Sequence, residues 1–92
     1  MKIYGWTEPI GTETAFLLGD ERWHCQARAF VAAKSMADVA RLVGERYARN
    51  LHCLQETGND EEIATAMSKP GTVFLRSMQG GRDKPVIEMK QR

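Results

Sequence analysis

The amino-acid sequence predicts a small α+β domain: a small antiparallel sheet with two or three short helices packed on one face. Three observations carry that expectation. Residues 22–31 alternate in polarity with the period of a strand. At Ser35 the period lengthens to that of an amphipathic helix. Strand-like runs stand on both sides of the helical block, at 2–7 before it and at 72–78 after it.

Taken in order, residues 2–7 (KIYGWT) hold two aromatics in a strand-like setting, and Glu8-Pro9-Ile10-Gly11 is expected to break the strand. The apolar run Ala15-Phe16-Leu17-Leu18 ends at Gly19-Asp20. Beyond it Trp23, Cys25, Ala27, Ala29 and Val31 alternate with Arg22, His24, Gln26, Arg28 and Phe30. Residues 14–32 therefore read as a β-hairpin with one apolar face. Ser35 is a natural N-cap with Asp38 three positions on, and Met36, Val39, Ala40 and Val43 form one buried stripe. Gly44 can end that helix, and residues 45–54 resume helical spacing through Tyr47 or Ala48, Leu51 and Leu54.

Thr57 to Asp60 reads as a loop, and Asp60, Glu61 and Glu62 suit the positive end of a following helix lined by Ile63 and Met67. Pro70-Gly71 stops it. Residues 72–78 form a strand, 80–83 a turn, and 86–89 a weaker strand that pairs back. The expected order is three strands, two or three helices, then two strands. The whole chain of 92 residues reads as one domain, with 79–92 a partly flexible hairpin or tail.

Composition narrows the function. Thirteen Lys and Arg against twelve Asp and Glu leave a formal charge of +1, too balanced for a polybasic binder. Any nucleic-acid contact must come from a local patch. The chain lacks a long apolar run and an apolar leader, so no membrane partner is expected. Two cysteines do not make a disulfide framework, so a cytoplasmic protein with reduced thiols is expected.

The most suggestive pattern is residues 35–54, which resemble a helix-turn-helix. Ala40 would let two helices approach, and Gly44 would turn between them. The second helix would present Arg46, Arg49, Asn50 and Cys53 outward with His52 beside them, and Arg and Asn are side chains suited to base edges. From Lys34 to Gln55 four bases oppose two acids, a local charge of +2. Two points weigh against DNA. Asn50 falls where such a motif normally buries an aliphatic side chain, and a solvated arginine face is common on any helix covering a sheet.

No constellation argues for catalysis. His24-Cys25 and His52-Cys53 supply two zinc-ligand types, but adjacent residues diverge on strands and helices, and zinc sites space paired ligands wider. No cofactor or metal is expected. The acids Glu56, Asp60, Glu61 and Glu62 are explained by the start of a helix, and Gly80-Gly81-Arg82 lacks the strand-loop-helix setting of a phosphate loop. Phe30 breaks its strand's alternation. It is either an exposed anchor for a partner or core in a strand covered on both faces, and the second is favoured.

The segments VAAKSMADVARLVG and ETGNDEEIATAMSKPGTVF, spanning roughly Arg28 to Phe74, resemble small accessory proteins encoded by bacteriophages of actinobacteria. The resemblance implies a phage origin, a bacterial host cytoplasm and interference with a host process, and it transfers no functional residue. Together these readings favour a non-enzymatic protein that binds a host protein. Double-stranded DNA is the alternative partner, and an edge strand such as 72–78 either pairs across a homodimer or is covered within the monomer.

Overall fold

The computed structural model describes residues 1–19, 26–43, 52–53, 60–78 and 85–89, with backbone alone at 42, 43, 52 and 53. Its elements are β1 (Lys2–Pro9), α1 (Thr12–Leu17), β2 (Gln26–Ala33), α2 (Met36–Val43), β3 (His52–Cys53), α3 (Asp60–Ser68), β4 (Phe74–Ser77) and β5 (Val86–Glu88). The strands form one sheet of order β3-β1-β2-β4-β5, and every neighbouring pair is antiparallel. The expected α+β class with an antiparallel sheet is borne out.

β1 and β2 pair along their whole length, from Lys2 with Ala33 to Pro9 with Gln26. That register puts Tyr4 opposite Val31 and Trp6 opposite Ala29, while Ile3 meets Ala32 and Gly5 meets Phe30. Because successive side chains point to opposite faces, the sheet sorts its apolar residues into two layers. One layer holds Tyr4, Trp6, Ala29, Val31 and Leu75 beneath Leu18 and Val39. The other holds Ile3, Phe30, Ala32 and Phe74 beneath Ala66 and Ile63.

Helical cover is thus divided between the two faces, α1 and α2 on one and α3 on the other, and is not confined to one face as expected. The physical reason is the run Ala29-Phe30-Val31-Ala32-Ala33, buried at every position, which a half-exposed strand cannot satisfy. Phe30 is core, stacked on Phe74 with ring centroids 5.7 Å apart.

The expected hairpin over 14–32 is corrected. Thr12–Leu17 is a helix, and the partner of β2 is β1. An apolar run of four carries no period, so strand and helix look alike there. β1 also runs on through Glu8 to Pro9, which lies opposite Gln26 and beyond the Tyr4 and Gly5 positions that pair with β3, so its missing N–H faces a side unpaired among the described residues. The alternation at Trp23 and Cys25 lies outside the described residues, since β2 begins at Gln26.

α2 spans Met36–Val43, but the expected buried stripe is corrected. Met36 is exposed because the first turn of the helix overhangs solvent, Ala40 is half-buried, and the side chain of Val43 lies outside the described residues. The Asp38 N–H donates to Ser35 Oγ at 3.3 Å, and Val39 is fully buried. The expected helix through residue 54 is corrected at its end, because His52 and Cys53 pair with Gly5 and Tyr4 on the outer side of β1. Neither residue is a strong helix former, so the hydrogen bonds offered by the β1 edge prevail. α3 starts at Asp60 with three acids in its first turn and ends before Pro70, as expected. Its inward positions are Glu62, Ile63 and Ala66, whereas Met67 is exposed. β4 lies between β2 and β5, so of the two alternatives open for this stretch, cover within the chain is the one observed. Among the described residues no helix is long and apolar enough to cross a membrane.

Candidate interaction surface

α1 places two large apolar side chains in solvent. Phe16 is 80% exposed and Leu17 60%, more than any other large apolar residue described. The local sequence dictates this. Gly11 supplies an extended N-terminal residue whose carbonyl accepts from the Ala15 N–H at 3.1 Å. Glu13 sits in the first turn, where a negative charge suits the helix dipole. The helix closes as the Leu18 N–H donates to the Thr14 carbonyl at 3.0 Å and the Gly19 N–H to that of Phe16 at 3.0 Å. Gly19 then takes a φ of 76°, the left-handed conformation that terminates helices.

Only Ala15 and Leu18 turn inward, and Leu18 joins the core layer of Trp6 and Val39. A helix whose inward pair is i and i+3 must aim i+1 and i+2 away from that layer. Phe16 and Leu17 are those two residues. Glu13 lies three and four positions before them, on the same exposed side. α1 is held by its buried pair and by the turn at Gly19, so the exposed residues sit on an ordered support.

From Ile3 to Glu21 the sequence contains Glu8, Glu13, Asp20 and Glu21, with Lys2 and Arg22 immediately on either side. Glu8 accepts a hydrogen bond from Trp6 Nε1 at 2.8 Å, which ties one of these acids to the core. Sequence reasoning misses this surface because the run 15–18 reads as a strand. The signal that would find it is the three-residue spacing of Ala15 and Leu18 ahead of the Gly19 stop.

The opposite face carries a charge cluster of another kind. Arg28 on β2 and Arg76 on β4 are register partners, and Glu62 of α3 reaches between them. Its carboxylate lies 2.7 Å from Arg28 Nε and 3.8 Å from Arg76 Nη1. Glu62 is buried, and its two oxygens are engaged by the two arginines. The arrangement ties α3 to the sheet. The remaining described ion pairs, Asp38 with Arg41 and Lys69 with Glu88, lie further toward solvent.

Of the residues expected to contact a partner or DNA, Arg46, Arg49 and Asn50 lie outside the described residues. His52 is on β3, opposite Gly5, and so belongs to a strand and not to a reading helix. The pair His24-Cys25 and the turn Gly80-Gly81-Arg82 also lie outside the described residues. Among the described residues no group of three or more His, Cys, Asp or Glu is gathered to hold a metal ion. Comparison of the chain with protein-family models, with curated proteins and with solved structures returned no match.

Proposed function

We propose that this chain is a non-enzymatic binding protein whose partner is a protein, and that α1 is the element it presents. The observation that carries this reading is the exposure of the consecutive residues Phe16 and Leu17 on a helix anchored in the core. Burying one large apolar side chain contributes about 1.5–3 kcal/mol, so two adjacent anchors supply the centre of a binding site. A bacterial host protein is the expected partner, which is what the resemblance of residues 28–74 to phage accessory proteins implies.

The DNA reading has less support. A second helix carrying Arg46, Arg49 and Asn50 has to end before β3 begins at His52, which shortens the motif expected over 35–54. The test is a capture experiment from bacterial lysate with the tagged chain and its Phe16→Ser/Leu17→Ser variant, each with and without nuclease. A protein retained after nuclease and lost with the variant is the expected result. Capture that is equal for both chains removes α1 from the proposal. Capture that vanishes with nuclease favours DNA, and Arg49→Ala is then the next variant.

A further inference from the structure

Arg28 and Arg76 stand directly opposite each other on β2 and β4, on the face that α3 covers. Side chains paired in this way start from Cβ atoms about 4.5–5.5 Å apart, so two guanidinium groups are delivered to one spot. Glu62 enters that spot from α3, with one oxygen 2.7 Å from Arg28 Nε and the other 3.8 Å from Arg76 Nη1. We infer that the two arginines form a binding site for a phosphate group, that Glu62 occupies it from within the chain, and that α3 is the displaceable cover carrying this acid. The inference is independent of the role given to α1.

Three observations lead there. The cluster has the chemistry of an oxyanion site, in which planar guanidinium groups converge on the two oxygens of one anion. It is also a costly means of fixing a helix to a face made of Ile3, Phe30, Ala32 and Phe74. Charges must leave water to form it, and apolar side chains of similar volume would hold the helix at least as well. What the ions add is a contact that another anion can replace. Lastly, α3 has little other hold on this layer. Ile63 and Ala66 are its apolar contacts there, and Met67 is exposed. Arg28 keeps 35% of its side chain in solvent, which gives an incoming anion a way to the pair while the sheet stays intact.

Phosphate suits the pair better than the acid it would displace. It brings three acceptor oxygens and a charge of about −1.5 to −2, against two oxygens and a single charge on Glu62. Phosphate and α3 then compete for the same two cations. A ligand that binds only the chain with α3 lifted increases the lifted population in proportion to its concentration over its Kd.

Native-state hydrogen exchange of the full chain tests this, in sodium phosphate and in sodium chloride of equal ionic strength. The hydrogen-bonded amides of α3 are expected to exchange about tenfold faster once phosphate reaches ten times its Kd. Amides of β1 and β2 should slow instead, because phosphate is excluded from protein surfaces and favours the compact state. Arg28→Gln should abolish the response of α3. In Glu62→Gln the competing acid is gone, so phosphate should raise the thermal midpoint of that variant more than that of the wild type. If Glu62→Gln does not fold, exchange in the wild type and in Arg28→Gln decides alone. Exchange in N-acetyl-phosphoserine amide identifies the source: acceleration by both probes assigns a phosphoryl group on a larger ligand, and acceleration by inorganic phosphate alone assigns the free ion.

Equal exchange of the α3 amides in phosphate and chloride overturns the phosphate site. Protection of α3 equal to that of β2 in chloride shows that the helix lifts only with global unfolding, and overturns the cover. A response that survives Arg28→Gln overturns the assignment to the arginine pair.

Discussion

Glu62 Oε2 accepts from Arg28 Nε at 2.7 Å across the boundary between α3 and the sheet. The pair links residues 34 positions apart, and Arg76 joins it from the neighbouring strand. Arg28 and Arg76 are directly opposite on β2 and β4, where like charges destabilise a sheet unless an acid stands between them. Glu62 fills that role. Its side chain is 5% exposed, while Arg76 keeps 11% and Arg28 35%.

Removing the acid should therefore cost more than removing one base. For Glu62→Gln the expected loss is about 2–4 kcal/mol, because two cations are left facing each other in a largely buried place. Arg28→Ala is expected to cost roughly 0.5–1.5 kcal/mol, reduced because solvent already screens a third of it. Urea unfolding of both variants measures the difference. Equal losses would mean that Glu62 is held by something other than the two arginines.

The stacking of Phe30 on Phe74 sits one residue pair further along the same face. Truncating Phe30 to Ala should cost about 3–5 kcal/mol, a large share of the stability of a small domain. Phe30→Leu and Phe74→Leu are gentler. The double-mutant cycle built from them is expected to show a coupling of about 0.5–1.5 kcal/mol beyond the lost area. A coupling near zero would show that the rings contribute only as separate volumes.

The parts of this fold that are legible in the sequence are those with a long period or a strong local signal. α2 announces itself through Ser35, Asp38 and Val39, and α3 through its acidic first turn and Pro70. The pairing of 86–89 back onto the preceding strand is also readable. What fails is short or two-sided. α1 has six residues, too few for a helical period to separate from a strand. β3 has two residues and exists through its pairing with β1, which no local pattern encodes. Glu62 looks like its acidic neighbours Asp60 and Glu61, since a partner 34 positions away leaves no mark on local spacing. The exposed pair Phe16 and Leu17 is hidden for the first of these reasons.

At the start of α2 the Ser35 hydroxyl accepts from the Asp38 N–H, and the Ser35 carbonyl accepts from the Val39 N–H at 3.3 Å. Ser35→Ala removes only the first of these and should cost about 1 kcal/mol, whereas Ser35→Gly should cost a few tenths. Val39→Ala, on the fully buried position of the same helix, is expected to cost roughly 1–3 kcal/mol. The order Val39, then Ser35 to Ala, then Ser35 to Gly is readable from thermal midpoints. An unmoved midpoint for Val39→Ala would contradict the register of the helix on the sheet.

The turn that follows α3 depends on Gly71, whose φ of 84° lies in the left-handed region. An added Cβ would meet no atom within 4 Å, so any cost of Gly71→Ala is conformational and not steric crowding. The Gly71 N–H donates to the Ala32 carbonyl at 2.9 Å, which fixes the end of β2 to the entry of β4. Relaxing φ to a negative value would break that bond, so the protein must either bear the strain or lose the tie. Gly71→Ala is expected to cost about 1–2 kcal/mol, and Gly71→Asn less, because Asn tolerates this conformation better. Hydrogen exchange separates the two responses. If the strain is borne, the Gly71-position amide stays protected while global stability falls. If the tie is lost, its protection drops well below that of the β2 amides.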